Sequence, residues 1–91
     1  MAHTPFPVEL LTPEGEVFKG EAEQVSTTTT IGSLSIFAHH EPLLATIEAS
    51  ELRIYASETE ILSFETGEGY LQVGDNRALI LVKEANRISG S

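Results

Sequence analysis

Apolar residues along this chain recur at every second position and seldom at the i, i+3, i+4 spacing of an amphipathic helix, which predicts strands over nearly the whole length. Phe6 to Leu11 opens as a strand. Thr12-Pro13-Glu14-Gly15 has the proline and glycine placement of a tight turn, so a hairpin returning through Glu16 to Lys19 is expected. Gly20 reads as a break. Ala22 to Thr29 continues with β-branched Val25, Thr27, Thr28 and Thr29, a run that suits a pleated surface and makes a poor helix. Gly32 interrupts the pattern before Leu34 to Phe37. Ala38-His39-His40-Glu41-Pro42 then forms the most polar irregular stretch, expected as an exposed loop. Leu43 to Glu48, Glu51 to Ser57 and Glu60 to Glu65 predict three further strands. In the middle one, Leu52, Ile54 and Ala56 alternate with Arg53, Tyr55 and Ser57, as in a sheet with one face on a core and the other nearer water. Gly67 and Gly69 bracket a bend, Tyr70 to Val73 is a strand, and Gly74-Asp75-Asn76 is a turn. Ala78 to Val82 is apolar at every position, which predicts a central strand buried on both faces, Leu79 included. The remaining residues, Lys83 to Ser91, are too few for a stable helix on their own.

Short strands at this regular spacing predict an all-β sandwich or small barrel. Ninety-one residues with 41% hydrophobic content suffice for one modest core, so a single domain is expected over 1–88, with 89–91 as a tail of no expected order. The net charge of -9 repels a phosphate backbone and an anionic leaflet alike, which argues against nucleic-acid and lipid-surface roles. Without cysteine the chain can build no disulfide and no thiolate site. The first residues carry no basic run of a secretory leader, and no stretch of about twenty apolar residues occurs, so any membrane association is expected to come through a partner.

His39, His40 and Glu41, with His3 far off in sequence, are the residues with metal-ligand chemistry. Adjacent residues on an extended segment point to opposite faces, so an interface loop is expected there and a cupin-like metal- or ligand-binding sandwich is the alternative. The hydroxyl run Ser26 to Thr30 upstream of His39 and His40 invites a nucleophile-and-base reading. No G-x-S-x-G elbow, P-loop or H-E-x-x-H accompanies it, and Gly67-Glu68-Gly69 is only a fragment of a glycine-rich loop. Neither catalysis nor a bound cofactor or metal is expected.

Several landmarks follow one another in a specific order. They are Leu11-Thr12-Pro13-Glu14-Gly15-Glu16-Val17-Phe18-Lys19-Gly20, Glu23-Gln24-Val25, Gly32-Ser33-Leu34-Ser35-Ile36-Phe37, His40-Glu41-Pro42-Leu43-Leu44, Leu52-Arg53-Ile54 and Gly67-Glu68-Gly69-Tyr70-Leu71-Gln72-Val73. Over almost its whole length the chain therefore resembles the N-terminal β-sandwich domain of the ε subunit of bacterial ATP synthases. It departs from the usual pattern at Ser35 for Gly, Ala49-Ser50 for Pro-Gly, Glu68 for Gly and Gln72 for Glu. The resemblance implies a flattened β-sandwich of about ten strands in two sheets. It further implies a non-catalytic rotor subunit that docks on the γ shaft and touches the polar loops of the membrane c-ring. Such a subunit sits at the cytoplasmic face of the bacterial inner membrane without inserting into it. Carried over residue by residue, Ile31, Gly32 and Ser33 fall where the family meets the ring loops, and Ser33 stands where some relatives have Glu. Thr12 and His40 fall on surfaces near γ, with His39, Glu41 and Pro42 in the same loop as His40. The two-helix C-terminal domain that relatives use to inhibit hydrolysis, and in some cases to bind ATP, reads as absent, so neither property is expected.

Overall fold

Ten strands and no helix make up the described residues, 4–88, in a computed structural model of the chain; His3 and the tail 89–91 lie outside them. In order these are β1 (Phe6–Thr12), β2 (Gly15–Ala22), β3 (Gln24–Thr29), β4 (Gly32–Ile36) and β5 (Leu43–Ile47), then β6 (Ser50–Tyr55), β7 (Ile61–Thr66), β8 (Gly69–Gly74), β9 (Arg77–Val82) and β10 (Ala85–Arg87). Hydrogen-bonded neighbours run β10-β7-β6-β3-β4 in one layer and β5-β8-β9-β1-β2 in the other. Among the described residues only the β1–β9 pair is parallel.

The layers meet at a single ladder pair, Thr29 with Ile47. It is flanked by Thr30 N–H donating to the Thr46 carbonyl at 3.1 Å and Glu48 N–H to that of Thr28 at 3.0 Å. The ten strands thus form one bonded network folded over at this corner. Val8, Leu10, Leu71 and Ile80 from one layer interdigitate with Val25, Ile36, Leu52 and Ile54 from the other in one buried cluster. This is the flattened sandwich that the resemblance implies, and it falls within the sandwich-or-barrel class that the alternating pattern predicts.

Turn chemistry explains the hairpins. Gly15 has φ of +131° beyond Pro13 and Glu14, and Asp75 and Asn76 both adopt left-handed conformations (φ 50° and 59°), as a two-residue type I′ hairpin requires. Elsewhere the expectations need correction. Gly20 does not break the chain: it lies inside β2 opposite Val8, under the ring of Phe18, where a Cβ would come within 3.3 Å of the Phe18 Cζ. The break falls at Glu23, whose N–H bonds the Tyr55 carbonyl at 2.7 Å as the chain changes layer. Nor is β9 buried on both faces. Ala78, Ile80 and Val82 point into the core, while Leu79 is half-buried and Leu81 exposed on the outside. Strand β10, three residues on the edge of β7, is too short to leave an alternation signal in the sequence.

One core position is chemically mismatched. Thr27 is 4% exposed, and its Oγ1 meets no hydrogen-bond partner among the described residues. A buried hydroxyl without a partner carries its full desolvation cost, and Val has nearly the same shape. Thr27→Val is therefore expected to stabilise the domain by about 1 kcal/mol and raise the melting temperature by about 4–8 °C. A lower melting temperature would show that the hydroxyl is satisfied after all.

Candidate interaction face

The outward sides of the two layers differ in chemistry. On β3, β4 and β6 the outward residues are Ser26, Thr28, Ser33, Ser35, Glu51 and Arg53, with Arg53 Nε donating to Glu51 Oε2 at 3.0 Å. That surface is hydroxyl-rich and charged. The outward side of the other layer is apolar at its centre. Cross-strand register places Thr46, Tyr70, Leu81 and Leu11 in one row, and Leu44, Gln72, Leu79 and Glu9 in the next. Leu44 is 72% exposed, Tyr70 58% and Leu81 44%. Leu11, Pro13, Tyr70 and Leu81, with Thr12 and Thr46, line an open groove of about 610 Å³. At its mouth Lys83 Nζ donates to Glu68 Oε1 at 2.6 Å. This hydrogen bond, reinforced by the opposite charge, holds the Glu68 carboxyl below its ordinary pKa and Lys83 above its own. An open apolar surface with a polar border is of the kind that binds a ligand or another macromolecule.

The residues named from sequence fall into two groups around this face. Thr12 ends β1 beside the groove, its Oγ1 accepting the Glu14 N–H at 3.2 Å. Ile31, Gly32 and Ser33 form the tip and return of the β3–β4 hairpin, at the same end of the layer, because Thr30 bonds Thr46. His39, His40, Glu41 and Pro42 lie at the other end, just before Leu43. There His39 takes a left-handed conformation (φ 62°) and its N–H donates to Asn76 Oδ1 at 2.7 Å. The His40 Nδ1 is 2.7 Å from the Glu41 carbonyl oxygen. Thr12 and His40 therefore do not form one compact patch; the apolar face lies between them.

Among the described residues no three His, Cys, Asp or Glu side chains converge as a metal site would require. Of the hydroxyls of Ser26 to Thr30, that of Thr29 serves the adjoining turn, its Oγ1 donating to the Gly32 carbonyl at 2.9 Å, and that of Thr27 is buried among apolar neighbours. Sequence reasoning missed Leu11, Leu44, Tyr70, Leu79 and Leu81. The signal in the sequence is the unbroken apolar run of β9, which predicts double burial, together with Leu44 and Tyr70 at outward positions in the neighbouring strands.

Residues 5–88 match the family model described as ATP synthase, Delta/Epsilon chain, beta-sandwich domain. The ATP synthase epsilon chain of Persephonella marina is 38% identical over 84 residues, covering 92% of this chain and 62% of the relative. That of Dichelobacter nodosus is 32% identical over 84 residues, covering 92% and 59%. The chain thus spans about three fifths of the length of these curated relatives. Among solved structures, a chain of the Euglena gracilis mitochondrial ATP synthase (OSCP/F1/c-ring, rotational state 1) superposes with a TM-score of 0.88 at 15% identity, covering 96% of this chain and 56% of that one. A chain of the Tetrahymena thermophila mitochondrial ATP synthase central stalk and c-ring gives 0.76 at 21% identity, covering 93% and 68%. At those identities the likeness is one of fold.

Proposed function

The chain belongs to the family of ATP synthase delta/epsilon chain β-sandwich domains, and from that premise we propose that it serves as a non-catalytic central-stalk part of a rotary ATP synthase. In this reading it joins the γ shaft to the polar loops of the membrane c-ring, so that rotation driven by protons or sodium ions reaches the catalytic head. It works as a peripheral member of the complex at the cytoplasmic face of a bacterial inner membrane, held there by its protein partners.

The observation that supports this reading is the apolar outer face of β5, β8, β9 and β1, which a free-standing monomer would leave wetted. That face is assigned to γ, with Thr12 and the His39 to Pro42 loop bordering it at its two ends. The Ile31 to Ser33 tip is assigned to the ring. A rotor joint needs no reacting group; it needs stiffness between its two contacts, and the corner ladder from Thr28 to Thr30 ties the tip directly to β5 of the apolar face.

The test is the affinity for purified γ of a variant carrying Tyr70→Thr and Leu81→Thr. Both side chains point outward and threonine suits a strand, so folding is expected to survive. Loss of two anchors at the centre of an interface is expected to weaken binding at least about 100-fold. Full-strength binding by the folded double variant would remove γ from this face.

A further inference from the structure

From Gln24 to His40 the chain contains no Asp, Glu, Lys or Arg, although 21% of its residues are charged and its net charge is -9. This longest charge-free run builds the β3–β4 hairpin and the approach to the loop after it. Depletion of charge is the compositional mark of the centre of a protein interface, where every charge would have to be desolvated.

Ile31 at the hairpin tip is 96% exposed. With Thr30 it forms the turn between Thr29 and Gly32, a place where Asn, Asp or Ser would bond to the nearby backbone and a β-branched aliphatic side chain offers no such gain. Its side chain therefore serves neither the core nor the turn. The turn is nevertheless held firmly from beneath. Buried Thr29 accepts the Ile31 N–H on its Oγ1 at 3.2 Å and donates the hydroxyl to the Gly32 carbonyl at 2.9 Å. Gly32, at φ +125°, closes the turn in a conformation that other residues rarely adopt. The tip end of the hairpin is tied to β5 through the Thr30–Thr46 and Glu48–Thr28 backbone bonds. A side chain presented on so fixed a base loses little freedom when it docks.

We infer that Ile31 is an apolar anchor that a partner subunit receives in an uncharged niche, and that the Thr29 hydroxyl is the positioning group that aims it. This rests on the rotor reading and narrows the chemistry of the ring-facing contact. The acidic surface elsewhere would make most contacts salt-dependent, whereas the tip engages through neutral, shape-dependent packing.

Wild type, Ile31→Asp, Thr29→Val and Thr29→Ser are titrated against detergent-solubilised c-ring of the cognate synthase and separately against γ, at about 50 mM and about 500 mM salt. Each variant's melting temperature is followed alongside. Ile31→Asp is expected to weaken ring binding at least about tenfold with γ binding and melting unchanged. Thr29→Val is expected to weaken ring binding about threefold and Thr29→Ser to restore it, because serine keeps the oxygen that the turn uses. Wild-type ring affinity is expected to change less than about twofold between the two salts. Wild-type ring affinity in folded Ile31→Asp overturns the anchor. A tenfold salt effect overturns the uncharged niche, and failure of serine to rescue overturns the role of Thr29. If the wild-type chain binds γ but not the ring, this inference falls while the γ contact stands; if it binds neither, the rotor reading falls with it.

Discussion

Gly69→Ala is expected to unfold the sandwich or to cost it at least about 3 kcal/mol, a large share of what a domain this size possesses. Gly69 begins β8 directly opposite Val82 of β9. A Cβ there would fall onto the Leu81 carbonyl oxygen, 2.7 Å from the Val82 Cα and 2.8 Å from the Leu81 carbonyl carbon. These are backbone atoms that no rotamer change can move aside, so the ladder joining β8 and β9 must part. Gly74, at the other end of the same strand, provides the control, because a Cβ there meets nothing within 4 Å. Thermal melting followed by circular dichroism should show Gly74→Ala close to wild type and Gly69→Ala unfolded or far less stable. Equal melting of the two would mean that the strands do not approach as closely as described.

The second large effect separates neighbours on one strand. Ile80 is fully buried between the layers, so Ile80→Ala is expected to cost about 2–5 kcal/mol through lost burial and the cavity left behind. Leu79 points to the outer face and is only half-buried, so Leu79→Ala should cost about 1 kcal/mol. Chemical denaturation with an unchanged slope would measure both differences. A cost at Leu79 equal to that at Ile80 would restore the double burial of this position that the apolar run of β9 predicts.

That run shows where sequence reading succeeds and where it stops. Turn residues with a local mechanism, Pro13 to Gly15 and Asp75-Asn76, placed both hairpins, and period-two alternation placed most strands. Signals that depend on a distant partner were not legible. Gly20 breaks nothing because the Phe18 ring two residues earlier covers it and Val8 pairs with it from β1. The parallel pairing of β1 with β9 joins segments some seventy residues apart, which no local window can show. The interaction face is of the same kind. Each of β1, β5 and β8 contributes a single apolar outward residue and β9 contributes two, so the patch exists only once the register is set. The resemblance, by contrast, singled out Thr12 and consecutive residues in two loops, and these border the face without forming its centre.

Because the chain contains no cysteine, a single thiol can report directly on the central claim that the apolar face is covered in the assembled rotor. Leu81→Cys places that thiol on the apolar face, and Glu65→Cys places one on the exposed outer side of the opposite layer. Each variant is alkylated with a maleimide, alone and with saturating γ. The account predicts that γ slows modification of Leu81→Cys at least about tenfold and leaves Glu65→Cys at its free rate, since the centre of a specific interface excludes solvent. Modification of Leu81→Cys at the free rate while γ is demonstrably bound would contradict it.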